Sequence, residues 1–263
     1  MKWRDLEISE EELVKILKNK CGVFINEFIK NDVPIYRNGD YYNEIRFLKT
    51  KTYRSGYGDL LGNEVITKPI KEEFELLVNE YGIASRNKNA VFGIVGDWEA
   101  YDGMNTDFQN YLFPVGNYKY SYIADSKAVD FNIDSGWKLF EIITAIKDYF
   151  RKIASLMMGI HVDMRELFIE YSDKPFREFL NDKEYIITEY TKYESMPSGL
   201  EEIRNLFETI EPLYKNFKNL DKYYNINEIP SHEYFGNEII FNCSSYIMVN
   251  LKIYPNLLEK LKG

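Results

Sequence analysis

Three short segments carry side chains whose types and spacing could do chemistry. The first is Pro34-Ile35-Tyr36-Arg37-Asn38-Gly39. A single arginine at the end of a short apolar strand, followed by a glycine-containing turn, can grip a phosphate through two parallel hydrogen bonds. A surface ion pair is the plainer alternative. The second is Ala84-Ser85-Arg86-Asn87-Lys88-Asn89-Ala90-Val91-Phe92. Its small and amide side chains precede an apolar strand, a place suited to orienting a polar ligand, although ordinary loops share that look. The third is Gly236-Asn237-Glu238-Ile239-Ile240-Phe241, continuing to Tyr246-Ile247-Met248-Val249. A carboxylate opening an otherwise apolar strand must be solvated, paired or functional, because burying it alone is costly. A solvated glutamate at the rim is the bland reading.

Composition argues against several other chemistries. Two cysteines, Cys21 and Cys243, are too few for a disulfide framework. Cys21 falls on the apolar stripe of a helix pattern and Cys243 in a strand-like run, so both read as buried free thiols. Two histidines, His161 and His232, without a Cys-x-x-Cys pair make an ordinary zinc site improbable, and no metal is expected. The net charge of −9, from 33 basic and 42 acidic side chains, repels a phosphate backbone, and no Lys/Arg run stands out. Nucleic acid is therefore disfavoured as the main ligand. The start, Met1-Lys2-Trp3-Arg4-Asp5, lacks an apolar signal core, and charges interrupt every apolar stretch well short of the roughly 20 residues that span a bilayer. No membrane partner is expected, and the expected compartment is cytoplasm, of a cell or of an infected host.

These segments need elements to position them. With 45% hydrophobic and 29% charged residues, the chain has the balance of a folded protein, and 263 residues allow one large domain or two small ones. Residues 9–30 read as one amphipathic helix opened by a Ser9/Glu12 capping box. Residues 70–81 look helical, with Gly82 placed as a C-terminal cap. Further helices are expected over 136–158 and 198–218, and a short one around Trp98–Tyr101. Strands are expected at 35–37, towards Val95, within 111–123, at 184–191, at 238–243 and at 246–253. The stretch from Gly39 to Gly62 has no clear assignment. The 22 Tyr, 17 Phe and 3 Trp reflect either an AT-rich coding genome or a stacking surface. No repeat or linker divides the chain, so a single domain over 1–263 is expected, with 135–225 a largely helical elaboration.

Taken in order, the three segments resemble the arginine–serine–glutamate arrangement of the ADP-ribosyltransferases. Tyr36-Arg37-Asn38-Gly39 matches that family's first-strand element, Ser85 its serine, and Glu238-Ile239-Ile240-Phe241 with Tyr246–Val249 its catalytic glutamate run. The first half is also similar to a group of phage-encoded proteins of this kind. The likeness lies in the Cys-containing first helix, Tyr36-Arg37, Arg86 to Phe92, and Leu112-Phe113-Pro114-Val115-Gly116-Asn117-Tyr118. It covers residues 10–130 and 232–250 and leaves 135–225 unmatched. Two departures stand out. Ser85 lies between Ala84 and Arg86 rather than in a Ser-Thr-Ser triplet. Gly236 stands two before Glu238, where arginine-modifying members carry Glu or Gln, which speaks against arginine as acceptor.

The resemblance implies an α+β fold with an ADP-ribosyltransferase-like split antiparallel β-sheet core, flanking helices and a helical insertion. It implies a mono-ADP-ribosyltransferase or NAD glycohydrolase, with NAD as substrate and a macromolecular acceptor or host protein as partner. Glu238 would be catalytic. Arg37, Tyr36, Ser85, Asn89 and Phe92 would bind NAD, Arg37 at the pyrophosphate or adjoining ribose and Phe92 against the nicotinamide. A catalytically degenerate relative that binds and inhibits a host protein is the alternative, favoured by Gly236 and the helical insert. A glycosidase would need two convergent carboxylates, and no spacing identifies a pair.

Overall fold

The computed structural model of the chain describes residues 8–38, 45–51, 64–84, 89–96, 109–124, 169–191, 197–219 and 224–263. The first helix, α1 (Glu10–Lys20), starts where Ser9 Oγ accepts the Glu12 N–H at 3.2 Å, one half of the expected capping box. It stops at Cys21, whose φ of −121° and ψ of 22° leave the helical region, and the chain restarts as α2 (Gly22–Glu27). The 9–30 stretch is thus two helices where one is expected. The reason is local: a glycine inside a helix costs about 1 kcal/mol, so the break falls where Gly22 weakens it most. Leu13, Leu17, Cys21, Phe24 and Phe28 still form one buried stripe across the break.

Among the described residues, eight strands form one antiparallel sheet: β1 (Ile35–Asn38), β2 (Ile45–Lys49), β3 (Ala90–Val95), β4 (Gln109–Pro114), β5 (Lys119–Ile123), β6 (Tyr224–Ile226), β7 (Glu238–Asn242) and β8 (Ser245–Asn250). Their order is β2-β8-β4-β1-β3-β7-β5-β6. The fold is mixed α+β, and β2 supplies structure in the stretch that the sequence leaves unassigned. The joint between β1 and β3 holds only the pairs Ile35↔Val95 and Tyr36↔Ile94. By contrast, β2–β8, β3–β7 and β4–β8 each run over five residue pairs.

Gly93 explains the short joint. A Cβ there would lie 2.7 Å from the Tyr36 carbonyl oxygen, 2.6 Å from Ile35 Cγ2 and 3.1 Å from Leu112 Cδ2. The β1 backbone sits against the face of β3 at this residue, and only a glycine leaves room for it.

The chain divides into two compact units: residues 1–54, 82–131 and 221–263, which contain the sheet, and residues 55–81 and 132–220, which are helical where described. The helical unit holds α3 (Glu64–Glu80), α4 (Phe176–Asn181), α5 (Lys183–Thr191) and α6 (Pro197–Phe217). The third helix starts earlier than expected and runs through Pro69; Gly82 follows with φ +71°. Residues 184–191 are a helix, not the strand that their alternation suggests. Ile186 and Ile187 are both buried, whereas in a strand these neighbours would point to opposite faces. Phe176, Phe179, Phe207 and Tyr214 pack this unit with ring centroids 5.1–5.9 Å apart. The helices expected over 136–158 and around Trp98–Tyr101 lie outside the described residues. Among the described residues, no helix is long and apolar enough to cross a membrane.

In the sheet unit the core is strongly aromatic. Phe24 of α2 meets Phe28, Phe113 and Phe241 at 4.9, 5.8 and 5.9 Å, and Tyr118 and Tyr120 pack on Phe241 at 5.5 and 5.8 Å. Much of the high aromatic content is thereby absorbed into packing. Both cysteines are buried free thiols in this core. The last helix, α7 (Leu257–Lys262), contacts α1, and the Lys260 ammonium pairs with Glu10 and Glu11 across that contact.

Gly93→Ala should lower stability by about 1–3 kcal/mol, the cost of overpacking, because the added methyl meets a backbone oxygen that cannot rotate away. Urea unfolding reads the loss. An unchanged midpoint would show that β1 does not sit on β3 at this point.

Candidate functional site

Strands β1, β3 and β7 carry the three segments and are consecutive in the sheet. In register, Tyr36 faces Ile94, and Ile94 faces Glu238. Two strand spacings separate Tyr36 from Glu238, roughly 10 Å. Residues some 200 positions apart in sequence (238 less 36 is 202) are thus near neighbours in space.

Glu238 is the first residue of β7 and is only 2% exposed. It is not the rim glutamate of the bland reading. Alternation along β3 and β7 puts its side chain on the same sheet face as Ile94, Phe92 and Ile240. Ser121 of β5 pairs with Ile240 and shares that face. Its neighbours on this face along and across the strands, Ile240 and Ile94, are apolar, and the buried Ser121 lies diagonally from it. In such surroundings a fixed charge interacts more strongly with a nearby cation than it would in water.

Arg37 lies where β1 leaves the β3 ladder. Its Nη1 donates to the Phe92 carbonyl, and its guanidinium carbon stands 4.2 Å from the Phe92 ring centroid. Past Tyr36 no β1 residue pairs with β3, and the arginine side chain takes the carbonyl exposed by that departure. Stacking on the ring adds about 0.5–1 kcal/mol at a half-exposed site. Phe92 shares the Glu238 face, diagonal to it across the strand pair, so the cation and the carboxylate come to one side of the sheet. Tyr36 packs against Tyr111, with centroids 5.5 Å apart, and belongs to the core.

Ser85 lies outside the described residues. Its predecessor Ala84 is buried, and the Ala84 N–H donates to Ser121 Oγ at 2.8 Å. Chain entry into the second segment is therefore held on the face that carries Glu238. Asn89 lies at the far end of the β3–β7 pair. Its carbonyl accepts the Cys243 N–H at 3.2 Å and Asn242 Nδ2 at 3.3 Å. That is roughly 16 Å along the strand from Glu238. Arg37 and Phe92 are brought to the side of the sheet that carries Glu238; the Tyr36 ring lies in the core instead, and Asn89 is at the far end.

The described residues hold one further buried carboxylate, in the helical unit, that the sequence reading missed. Glu73 is fully buried and receives Arg177 Nε at 2.8 and 3.0 Å, the Arg177 backbone N–H at 3.2 Å and the Tyr214 hydroxyl at 2.7 Å. The same guanidinium reaches Glu80 at 2.8 Å. Hydrogen bonding to Glu80, and after it to Glu73, holds the arginine above its ordinary pKa. Burial, and after it the bond to Glu73, pushes the Tyr214 hydroxyl up. A signal was available: Pro69, Glu73 and Leu77 share one helical stripe, and a carboxylate on an apolar stripe needs a partner. With every contact internal, this cluster fits a joint between helices. Among the described residues, no group of three or more His, Cys, Asp or Glu is placed to hold a metal ion.

Arg177→Met should cost about 3–5 kcal/mol, because it leaves the buried Glu73 charge uncompensated. Adding Glu73→Leu should recover most of that loss in thermal unfolding. Two independent, additive losses would contradict the pairing.

Comparison with protein-family models, curated proteins and solved structures finds no match for this chain.

Proposed function

We propose that this chain cleaves the nicotinamide–ribose bond of NAD and passes ADP-ribose to an acceptor or to water. One observation carries the reading: three segments distant in sequence fall on consecutive strands, with Glu238 buried and in register with Tyr36 across Ile94 of the strand between them. The sheet, with its two-pair joint between β1 and β3, is read as the split sheet of the ADP-ribosyltransferases.

Nicotinamide leaves as a neutral ring, because the electron pair of the breaking C–N bond cancels the ring charge. Little acid catalysis is needed. The demand is at the ribose, which becomes oxocarbenium-like as in glycoside hydrolysis. A carboxylate already in place when that charge develops stabilises it without reorganisation. Glu238 has that role here and accepts the hydrogen bond of a ribose hydroxyl. The acceptor then bonds to the ribose carbon and loses its proton to the carboxylate or to water. Arg37 turns from the Phe92 carbonyl towards the pyrophosphate, where a guanidinium offers two parallel donors. Phe92 and Ala84, at the entry to the second segment, line the same side. Gly236 leaves the acceptor a group other than arginine, on a macromolecule or a host protein.

A second reading has its own observation. The Arg37 guanidinium is already engaged by the carbonyl and ring of Phe92, as a structural arginine would be. On that reading the fold binds and inhibits a partner without turnover.

Glu238→Gln keeps size and neutralises the charge. It should lower nicotinamide release by 10²–10³-fold, about 2.7–4 kcal/mol of transition-state stabilisation, at matched thermal stability. Equal rates in the two proteins would remove Glu238 from catalysis. NAD should also stabilise the fold: for a Kd near 10 μM, 1 mM NAD adds about 2.7 kcal/mol. Arg37→Ala should abolish most of the resulting thermal shift. If the wild-type chain shows no shift with millimolar NAD, the binding reading takes over.

A further inference from the structure

Strand ends fray, and Glu238 is the first residue of β7. The residue before it is nevertheless bonded on three sides. The Asn237 carbonyl accepts the Val95 N–H of β3 at 2.9 Å, and its own N–H donates to the Tyr234 carbonyl at 3.0 Å. Its side-chain Nδ2 donates to the Ile123 carbonyl of β5 at 3.0 Å. The β5–β7 ladder ends at Tyr122↔Ile239, so the next pair would be Ile123 with Glu238. The Asn237 amide takes that carbonyl beyond the last ladder pair. With 2% exposure, the side chain makes this bond where water competes little.

We infer that Asn237 is the positioning residue of the Glu238 carboxylate, clamping the start of β7 to β3 and β5 at once. The inference rests on the role proposed for Glu238. A carboxylate that must meet a developing charge on a sugar ring gains from being held in one place before the substrate arrives. An asparagine that only filled space would be replaceable by a side chain of similar volume. The clamp requires the donor.

Two neutral variants test it in the full chain. Asn237→Leu keeps the branched shape without the donor, and Asn237→Ser shortens the side chain so that it no longer spans to Ile123. If the leucine variant fails to fold, the serine variant carries the test. The first readout needs no turnover: the ¹³C carboxyl resonance of Glu238, assigned by its loss in Glu238→Gln, should move in position and titration midpoint in both variants. The second is nicotinamide release, where kcat should fall by about 10–10²-fold while KM for NAD stays within about twofold, the pattern of a displaced reacting group. An unmoved resonance overturns the clamp, whatever the chain's activity. A moved resonance with wild-type kcat overturns it as a positioning device. A wild-type chain that releases no nicotinamide, with the resonance still moving in the variants, removes the enzymatic reading and leaves the clamp standing.

Discussion

The closeness of β1 to β3 at Gly93 is the constraint on which the sheet unit depends. Tyr36's carbonyl, Ile35 and Leu112 all press on a position with no side chain. Backbone contact at that distance cannot be relieved by a rotamer change, so the two strands meet in one way or not at all. Because β1 is held there for only two residue pairs, it departs from the ladder at once, and Phe92's carbonyl is left for a side chain to take. Arg37 is the next residue along β1 and takes it. The place of the cation in the candidate site is therefore a consequence of one missing methyl group on a neighbouring strand.

Two buried carboxylates face the same electrostatic problem. Removing a carboxylate from water is expensive unless hydrogen bonds and opposite charge replace the solvent. In the helical unit, Glu73 accepts from the Arg177 backbone N–H and Nε and from the Tyr214 hydroxyl, a set that ties α3 to α4 and α6. In the sheet unit, Glu238 stands at a strand end on a face of Ile94, Phe92 and Ile240, with its backbone held by the residue beside it. The first arrangement is that of a structural joint. The second places a carboxylate at a strand end, on the sheet face that also carries Phe92.

The aromatic content shows how one compositional signal can be spent in two ways. Phe24, Phe28, Phe113, Tyr118, Tyr120 and Phe241 form a contiguous core in which rings meet stacked, edge-on or tilted at 4.9–6.5 Å. Such packing accounts for these residues without any ligand. Phe92 is different. Its ring is only partly buried and holds the Arg37 guanidinium, which gives it a direct bearing on the candidate site.

Periodicity and end signals in the sequence were enough to determine several elements. Ser9 with Glu12 marks the start of α1, Gly82 the turn after α3, and the strand patterns within 111–123, at 238–243 and at 246–253 mark β4, β5, β7 and β8, although β8 ends at Asn250, and the helix expected from 198 begins at Pro197. These signals are local, and local sterics and hydrogen bonding set them. Where the pattern fits two periods, as at 184–191, the sequence is mute: adjacent isoleucines suit a strand or a helix until the surrounding packing decides. The candidate site residues were visible as types, an arginine after a strand and a glutamate before one. That Glu238 is buried, that Arg37 rests on Phe92, that Asn89 lies at the far end, and that Asn237 spans to Ile123 are facts of tertiary structure alone. Each depends on which strands become neighbours and in what register, and a shift of one residue would turn every one of these side chains to the other face.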